Sequence, residues 1–362
     1  GRLDGEGRQG MLETVREYAR ERALESGDYE PSCRRHLTHY LGLAERAEAR
    51  LRGPEQVAWL ETLSVEHANL RAALAWAARQ RGRAVVDGLR LAAALRWFWF
   101  FRGHLAEGRA WLERGLEAAD EAPPALRSKA LSADGTLALR QGRFTVAGEL
   151  YSRSLAQAEQ AGDRVAAGQV LGNLGLVLQH QGDLAAARRH LERSLEVLDE
   201  CGDALGVANA LANLGRIALQ SHDLEAARRL SLRHLALRRE SGDPWALASA
   251  LRLLASVAAT EGGLAEAVRL CDEALALLER VGDQGGVADV LNDLIDVLTW
   301  LGDYERAGRT AERSIALYGE LGMDSGVAAS LAQRGQLRRL QGDLGGAEAD
   351  LQASLALYRR LG

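Results

Sequence analysis

Residues able to do chemistry are scarce in this sequence, and their spacing argues against catalysis. Of the 45 basic residues only Lys129 is a lysine, and its neighbours Ser128 and Ala130 do not form the Gly-x4-Gly-Lys-Ser/Thr loop that cradles phosphates. Without a P-loop lysine, the chain is expected neither to bind nor to hydrolyse ATP. Gly-x-Ser-x-Gly and His-Glu-x-x-His motifs are also missing. The sequence therefore predicts no enzyme, no catalytic residue and no cofactor.

Two short patterns resemble ligand sites, and each has a simpler explanation. Residues 5–10 match Gly-x-Gly-x-x-Gly, but a dinucleotide fingerprint needs a preceding strand and a βαβ unit that this sequence does not supply. A loop or wing tip is the favoured interpretation. Cys33, His36 and His39 share one helix face and could begin a metal site, but no fourth ligand is evident. We expect a packed helix face there and no metal.

The elements that position the remaining polar residues form a repeat of 40 residues. Gly-Asp pairs recur at that spacing from Gly162-Asp163 to Gly282-Asp283, and a second glycine series runs halfway between them. His222 stands in the second series where the other units have glycine. Glycine suits the left-handed residue that ends a helix, and aspartate suits the cap that begins the next one. Each unit is therefore predicted to be a pair of helices.

Apolar positions repeat in phase with these turns. Leucine recurs every 40 residues from Leu131 to Leu331, and alanine recurs in the second helices from Ala147 to Ala347. Small residues let helix axes approach, and large residues fill the gaps beside them. Because one hairpin cannot bury both of its faces, neighbouring hairpins must stack. The sequence predicts an all-α, right-handed solenoid of antiparallel helical hairpins.

This pattern resembles the tetratricopeptide repeat. Leu174-Gly175 and Leu214-Gly215 match its Leu-Gly pair, and Ala187 and Ala227 match the alanine of its second helix. The period is longer than the usual ~34 residues, and the consensus proline is missing, as in kinesin light chains and in bacterial regulators of the maltose-activator type. The resemblance implies a concave surface that is lined by the first helix of each unit.

The N-terminal third resembles a second family, the bacterial STAND-type ATPase regulators. Residues 11–19 resemble the end of their winged-helix domain, 51–74 the helical segment that follows, and 97–114 their first hairpin. The resemblance implies an NB-ARC nucleotide-binding module before Gly1, often preceded by a DNA-binding or other effector domain. It also implies that the helical region senses a ligand or partner and controls ATP-dependent oligomerisation. The implied segments are a winged-helix end over 1–20, a helical linker over 21–82, a degenerate hairpin over 83–122 and six regular repeats over 123–362.

Polar residues recur on the first helices, where the resemblance places the groove. Asn173 and Asn213 share one position, and because asparagine is a mediocre helix former they need a reason, either ligand binding or a bond between helices. Arg140, His180 and Gln220 share another position, whose variable chemistry suits ligand recognition or plain solvent exposure. The candidate groove residues are Asn173, Asn213, Asp293, Arg140, His180, Arg216, Gln220, Arg252, Asp289, Asp296 and Trp300.

Charge is unevenly distributed along the candidate groove, with basic residues early and acidic residues late. Asp289, Asp293 and Asp296 follow at i, i+4 and i+7, which places them on one face of one helix. Such a stripe is either solvated or kept for a cationic partner. We expect it to meet a basic segment of a ligand or of the chain upstream.

The five consecutive aromatics from Trp97 to Phe101 would point all around a helix. A base-stacking platform needs an exposed face with basic partners, so a buried junction between the linker helices and the repeats is the favoured interpretation.

The composition of the chain limits the kinds of partner that it can bind. The net charge of −5 argues against direct nucleic-acid binding by this chain. No apolar run reaches the ~20 residues that a membrane span needs, and the most apolar stretch already carries Arg96. Three scattered cysteines suit a reducing, cytoplasmic compartment.

Two functions remain open at this point. The favoured one is a bacterial sensor and protein-interaction domain that binds a peptide, a protein or a small inducer in its groove and contacts the upstream NB-ARC module. The alternative is a constitutive scaffold for protein–protein interaction with no switching role. An in-frame Walker A module upstream would favour the sensor, and a start codon near Met11 would favour the scaffold.

Overall fold

The computed structural model describes residues 2–3, 9–10 and 13–361, and it begins with a short antiparallel ribbon. Strand β1 (Arg2–Leu3) pairs with strand β2 (Gln9–Gly10). The glycine-rich pattern predicted as a loop or wing tip lies mostly between these strands, outside the described residues. All the other described elements are α-helices.

Seven helices are described before the regular repeats. They are α1 (Glu13–Glu25), α2 (Tyr29–Arg50), α3 (Gln56–Val65), α4 (His67–Ala77), α5 (Arg83–Ala94), α6 (Arg96–Arg102) and α7 (Leu105–Ala118). The chain turns at Glu66, between α3 and α4. The Glu66 carboxylate accepts hydrogen bonds from the Tyr40 hydroxyl at 2.9 Å and from the Asn69 amide at 2.7 Å, which fixes this corner.

Twelve further helices form six hairpins. They are α8 (Pro124–Arg140), α9 (Phe144–Ala161), α10 (Arg164–His180), α11 (Leu184–Glu200), α12 (Ala204–Gln220), α13 (Leu224–Ser241), α14 (Pro244–Thr260), α15 (Leu264–Val281), α16 (Gln284–Leu301), α17 (Tyr304–Glu320), α18 (Asp324–Leu340) and α19 (Leu344–Leu361).

The turns between these helices have the predicted construction. Gly162 ends α9 in the left-handed region with φ 68°, and the carboxylate of Asp163 accepts the backbone N–H of Ala166 at 2.9 Å to cap α10. Among the described residues, His222 is the non-glycine residue with positive φ, at 57°. The glycine and aspartate series therefore marks the helix ends.

Close helix packing explains the small residues that recur in phase. A Cβ atom on Gly135 would lie 2.8 Å from the ring of Tyr151, and one on Gly175 would lie 2.6 Å from the Leu191 side chain. Ala227, at the in-phase position of the second helix, is fully buried. These contacts confirm the prediction of an all-α repeat solenoid.

The aromatic run of α6 belongs to the core shared with the first repeats. Phe98, Trp99 and Phe101 are buried in one cluster with Leu131 of α8 and Tyr151 of α9. The buried junction predicted for this run is confirmed for these three rings, whereas Trp97 and Phe100 are half-buried. Among the described helices, none is both long and apolar enough to cross a bilayer.

Candidate functional site

The solenoid curves until its first and fifth regular hairpins meet. Arg140 lies at the C-terminal end of α8, and its Nη1 donates to Asp289 Oδ2 on α16 at 3.0 Å. Its Nη2 donates to Asp283, the residue that caps α16, at 3.3 Å. These two contacts join residues of units that are not neighbours in the repeat, so the concave surface surrounds a central space.

The N-terminal helices form part of the wall of that space. Trp245, at the start of α14, packs against Trp97, Phe100 and Phe101 of α6, with ring centroids 5.6 to 6.0 Å apart. Arg52, just before α3, places its Nε 3.8 Å from the Asp243 carboxylate. The segment that precedes the repeats therefore touches the concave side of the fourth unit.

A cavity of about 1130 Å³ lies between these two parts of the chain. Nine of the eleven residues predicted for the groove line it: Asn173, Asn213, Asp293, Arg140, His180, Arg216, Gln220, Arg252 and Asp289. Asp296 and Trp300 do not line it. Trp300 is 62% exposed, and the Asp296 carboxylate accepts a hydrogen bond from Gln333 at 2.7 Å.

The acidic stripe on α16 is paired within the chain, which corrects the expectation that it awaits a cationic partner. Asp289 accepts hydrogen bonds from Arg140 and Arg252 and from the Tyr318 hydroxyl at 2.7 Å, and Asp293 accepts one from Arg252. Burial alone would raise the pKa of Asp289, but the charges of Arg140 and Arg252 outweigh it and hold that pKa below its ordinary value. The basic early unit and the acidic late units thus meet each other.

The predicted amide and histidine side chains have different partners. Asn213 accepts a hydrogen bond from Arg216, its neighbour one turn later on α12. The Gln220 amide oxygen accepts one from Gln179 at 3.0 Å, and the His180 ring stacks on Phe144 with centroids 4.6 Å apart. Asn173 is half-buried in the cavity wall and makes no side-chain hydrogen bond within the described part of the chain. Its amide is therefore available to a ligand.

Sequence reasoning missed four arginines that also line the cavity, namely Arg52, Arg96, Arg143 and Arg238. The repeat pattern does indicate that position 238 is buried. The same position in other units is occupied by Ala158, Leu198 and Leu278, which are buried. An arginine in that position must be buried too, and Arg238 is only 2% exposed. A position one turn earlier on the same helix also departs from the repeat pattern.

The residue at that earlier position is His234, which replaces an in-phase buried serine. Ser154 and Ser194 each donate from their hydroxyl to a backbone carbonyl of the paired helix, at 2.8 and 2.7 Å. His234 instead accepts the Nε–H of Arg238 at its own Nε2, at 3.2 Å. Burial, together with the charges of Arg238 and Arg216, lowers the pKa of His234 to about 3.

The arrangement suits recognition by charge and hydrogen bonding. No group of three or more His, Cys, Asp or Glu side chains within the described residues is placed to hold a metal ion. The cavity offers guanidinium groups, side-chain amides and the aromatic edges of Trp97, Phe100 and Trp245. Those are the groups of a binding site that fixes a ligand by a few polar contacts within an apolar wall.

Comparisons with known proteins identify the repeat and several relatives. A family model described as the tetratricopeptide repeat matches residues 127–200, 166–240 and 286–360. Proteins named as HTH-type transcriptional regulators in Mycobacterium tuberculosis and Mycobacterium bovis are 40% identical over 115 residues, or 31% of this chain. The match spans 12% of the length of those relatives.

Solved structures of similar fold include two Rap proteins. The Rap protein complexed with Competence and Sporulation Factor has a TM-score of 0.60 at 14% identity, over 91% of this chain and 96% of that chain. The apo form of RapI has a TM-score of 0.55 at 14% identity, over 74% of this chain and 98% of that chain. These likenesses show a shared helical-repeat fold.

Proposed function

Because the chain belongs to the tetratricopeptide repeat family, we propose that its central cavity binds a peptide, a protein segment or a small inducer. In this proposal the region is the ligand-sensing and protein-interaction domain of a STAND-type ATPase regulator. It performs no chemistry of its own and requires no cofactor. The upstream NB-ARC module of the longer protein is its partner, and the protein acts in the cytoplasm.

One observation carries this proposal, namely that the cavity lies between the N-terminal helices and the repeats. Arg96 and Trp97 come from α6, whereas Asn173, Arg216 and Arg252 come from the repeats. A ligand in the cavity contacts both parts and changes the free energy of their association. Such differential contact is what allows a ligand to shift a conformational equilibrium.

Three further points support the proposal. The Rap protein of similar fold was solved in complex with Competence and Sporulation Factor. The relatives with 40% identity are named as transcriptional regulators, and they are much longer than the matched segment. The strings at 51–74 and 97–114 resemble STAND-type regulators. DNA binding is assigned to another part of that longer protein, because this chain carries a net charge of −5.

The test begins with a thermal-shift screen of peptides and metabolites against the chain. Hits are then measured on Asn173→Trp, which fills the cavity from a position that has a free side chain. Gln160→Trp, on the exposed face of α9, is the matched control. We expect a genuine ligand to stabilise the wild type and the control and to lose its effect in Asn173→Trp. Hits that stabilise all three chains equally would contradict the cavity as the site.

The sensor and the scaffold are separated in the natural full-length protein. The same ligand should change its ATP turnover and its oligomeric state, and Asn173→Trp should abolish both responses. If the rate of ATP turnover does not change when a ligand binds in the cavity, the domain is a scaffold. The chain alone should show no ATP hydrolysis in either case.

A further inference from the structure

The arginines that line the cavity are not all matched by carboxylates. Arg140 and Arg252 form ion pairs with Asp283, Asp289 and Asp293 of the fifth unit. Arg96, Arg216 and Arg238 have no carboxylate within ion-pair distance in the part of the chain that the structure describes. The cavity therefore contains an excess of positive charge at its α6, α12 and α13 side.

Arg216 is the most informative of these groups. Its only hydrogen bond among the described residues goes to the Asn213 amide oxygen, which satisfies one donor but cannot neutralise the charge. Burial and the nearby charge of Arg252 lower the pKa of Arg216 to about 10. A cation held in this way costs free energy that an anionic group in the cavity would recover.

Arg238 adds a second positive charge within the cavity wall. It donates to His234, to Asn209 and to the backbone carbonyl of Leu205, all of which are neutral, and its Nη1 has no hydrogen-bond partner. Burial and the charge of Arg52 lower its pKa to about 10, against the opposing charges of Asp243 and Asp203. The helix therefore carries a buried cation at a position where other repeats have leucine, alanine or tyrosine.

Arg96 supplies the third unmatched charge from the opposite wall. Its guanidinium carbon lies 4.8 Å from the ring centroid of Trp97, and its Nε has no hydrogen-bond partner. Burial lowers the pKa of Arg96; the charge of Glu48 opposes this shift, and the charge of Arg52 adds to it. Cations from the N-terminal segment and from the third hairpin thus face one cavity.

We propose that this cavity takes a small ligand that carries carboxylate groups, held between Arg96 of α6 and Arg216 of α12. The inference rests on the proposed function and adds the chemical class of the ligand. Carboxylates are already the partners of Arg140 and Arg252 in the same cavity, and guanidinium groups bind them in a planar, paired geometry. Arg238, which is almost fully buried in the cavity wall, strengthens the attraction through its charge.

The lining favours separate carboxylates over one dense phosphate. The unmatched arginines lie on different helices of the lining, Arg96 on α6 and Arg216 on α12, so an extended ligand with separate carboxylates can meet both. The wall also offers side chains that can both donate and accept hydrogen bonds, among them Asn173 and Ser249. A phosphate group only accepts, whereas a peptide or a functionalised organic acid uses both kinds of partner.

Calorimetry and thermal shift at ~0.15 M ionic strength, where exposed charges are largely screened, test this with defined probes. The acidic peptide triglutamate and the small acid citrate distinguish the two sources of carboxylate. Triglutamine is the neutral peptide control, and pyrophosphate is the phosphate control. The variants are Arg216→Gln and Arg96→Gln, with Arg229→Gln on the exposed face of α13 as the matched control.

We expect triglutamate or citrate to bind the wild type and the control at least tenfold more tightly than it binds Arg216→Gln or Arg96→Gln. We also expect Arg216→Gln to melt at a higher temperature than the wild type without ligand, because an unmatched buried charge is removed. Tighter binding of triglutamate identifies a peptide ligand, and tighter binding of citrate identifies a free organic acid.

Three results would overturn the inference: equal binding of triglutamine, binding of pyrophosphate alone, or binding of no probe at 1 mM, a concentration on the order of the weakest specific affinities. None of these three results contradicts the proposed function. That function fails only if the wider screen finds no ligand whose effect is lost in Asn173→Trp. The failure of one can therefore be told from the failure of the other.

Discussion

Arg140 and Asp289 are 149 residues apart in the sequence, yet they form a hydrogen-bonded ion pair at 3.0 Å. The pair closes the solenoid, because it joins the first regular hairpin to the fifth across the cavity. A repeat array is otherwise held by contacts between neighbouring units. This pair, with the packing of Trp245 on α6, gives the array long-range contacts that a ligand can reinforce or break.

We expect Asp289→Asn to open this closure. The substitution leaves Arg140 and Arg252 without their shared partner, so the free energy of unfolding should fall by about 2 kcal/mol, less than for a fully buried pair. The radius of gyration measured by small-angle X-ray scattering should increase. Asp272→Asn is the control, because Asp272 on α15 pairs with Arg306 on α17, in the next unit, at a more exposed site.

A double-mutant cycle with Arg140→Met measures the pair itself. Direct contact predicts a coupling energy on the order of 1 kcal/mol between positions 140 and 289. Additive effects, together with an unchanged radius of gyration in Asp289→Asn, would show that the two ends of the array are held by other contacts.

We expect Ala227→Leu to destabilise the centre of the array. Ala227 is fully buried where α13 packs on its neighbours. The larger leucine side chain would overpack that contact and lower the free energy of unfolding by roughly 1–3 kcal/mol. The urea midpoint should fall, whereas Ala185→Leu on an exposed face of α11 should leave it nearly unchanged. Equal midpoints for the two variants would contradict the close approach of helices at the in-phase alanines.

We expect His222→Gly to stabilise the protein. His222 is exposed and adopts φ 57°, a region that costs a residue with a Cβ atom about 1 kcal/mol. Glycine removes that cost, so the urea midpoint should rise. Gly182→Ala makes the reverse change at the equivalent turn, where φ is 87°, and should lower the midpoint by a similar amount. A lower midpoint for His222→Gly would reveal a stabilising role for the imidazole.

The sequence predicted the helices well because their ends depend on local chemistry. Gly162 and Asp163 stop one helix and start the next through bonds that span five residues or fewer, and such signals recur in the later units. The groove residues followed from the same register, which placed Asn173 and Arg216 on the inner surface.

The closure of the array could not be predicted in this way. It results from small rotations between successive hairpins, which sum until Arg140 meets Asp289. No local pattern encodes that sum, so the carboxylates of α16 looked available to a partner. The burial of His234 and Arg238 was visible in the register only as a departure from the serine and leucine of other units.

The buried His234 makes stability depend on pH. Burial, then the charges of Arg238 and Arg216, lower its pKa to about 3, whereas a histidine in the unfolded chain has a pKa of about 6.5. Between these values the unfolded chain binds a proton that the native chain does not. The stabilisation by neutral His234 is therefore complete above pH 6.5 and is lost as the pH falls toward 3, at about 1.4 kcal/mol per pH unit.

His234→Gln isolates this effect, because glutamine can still accept the Arg238 hydrogen bond that His234 Nε2 accepts at 3.2 Å. Urea unfolding at several pH values from 8 to 4 gives the difference in unfolding free energy between the wild type and the variant. Carboxylates titrate in both chains and cancel in that difference. We expect it to be constant above pH 7 and to shift steadily in favour of His234→Gln below pH 6. A difference that stays flat to pH 4 would mean that His234 becomes protonated without unfolding, and hence that its surroundings admit water and charge.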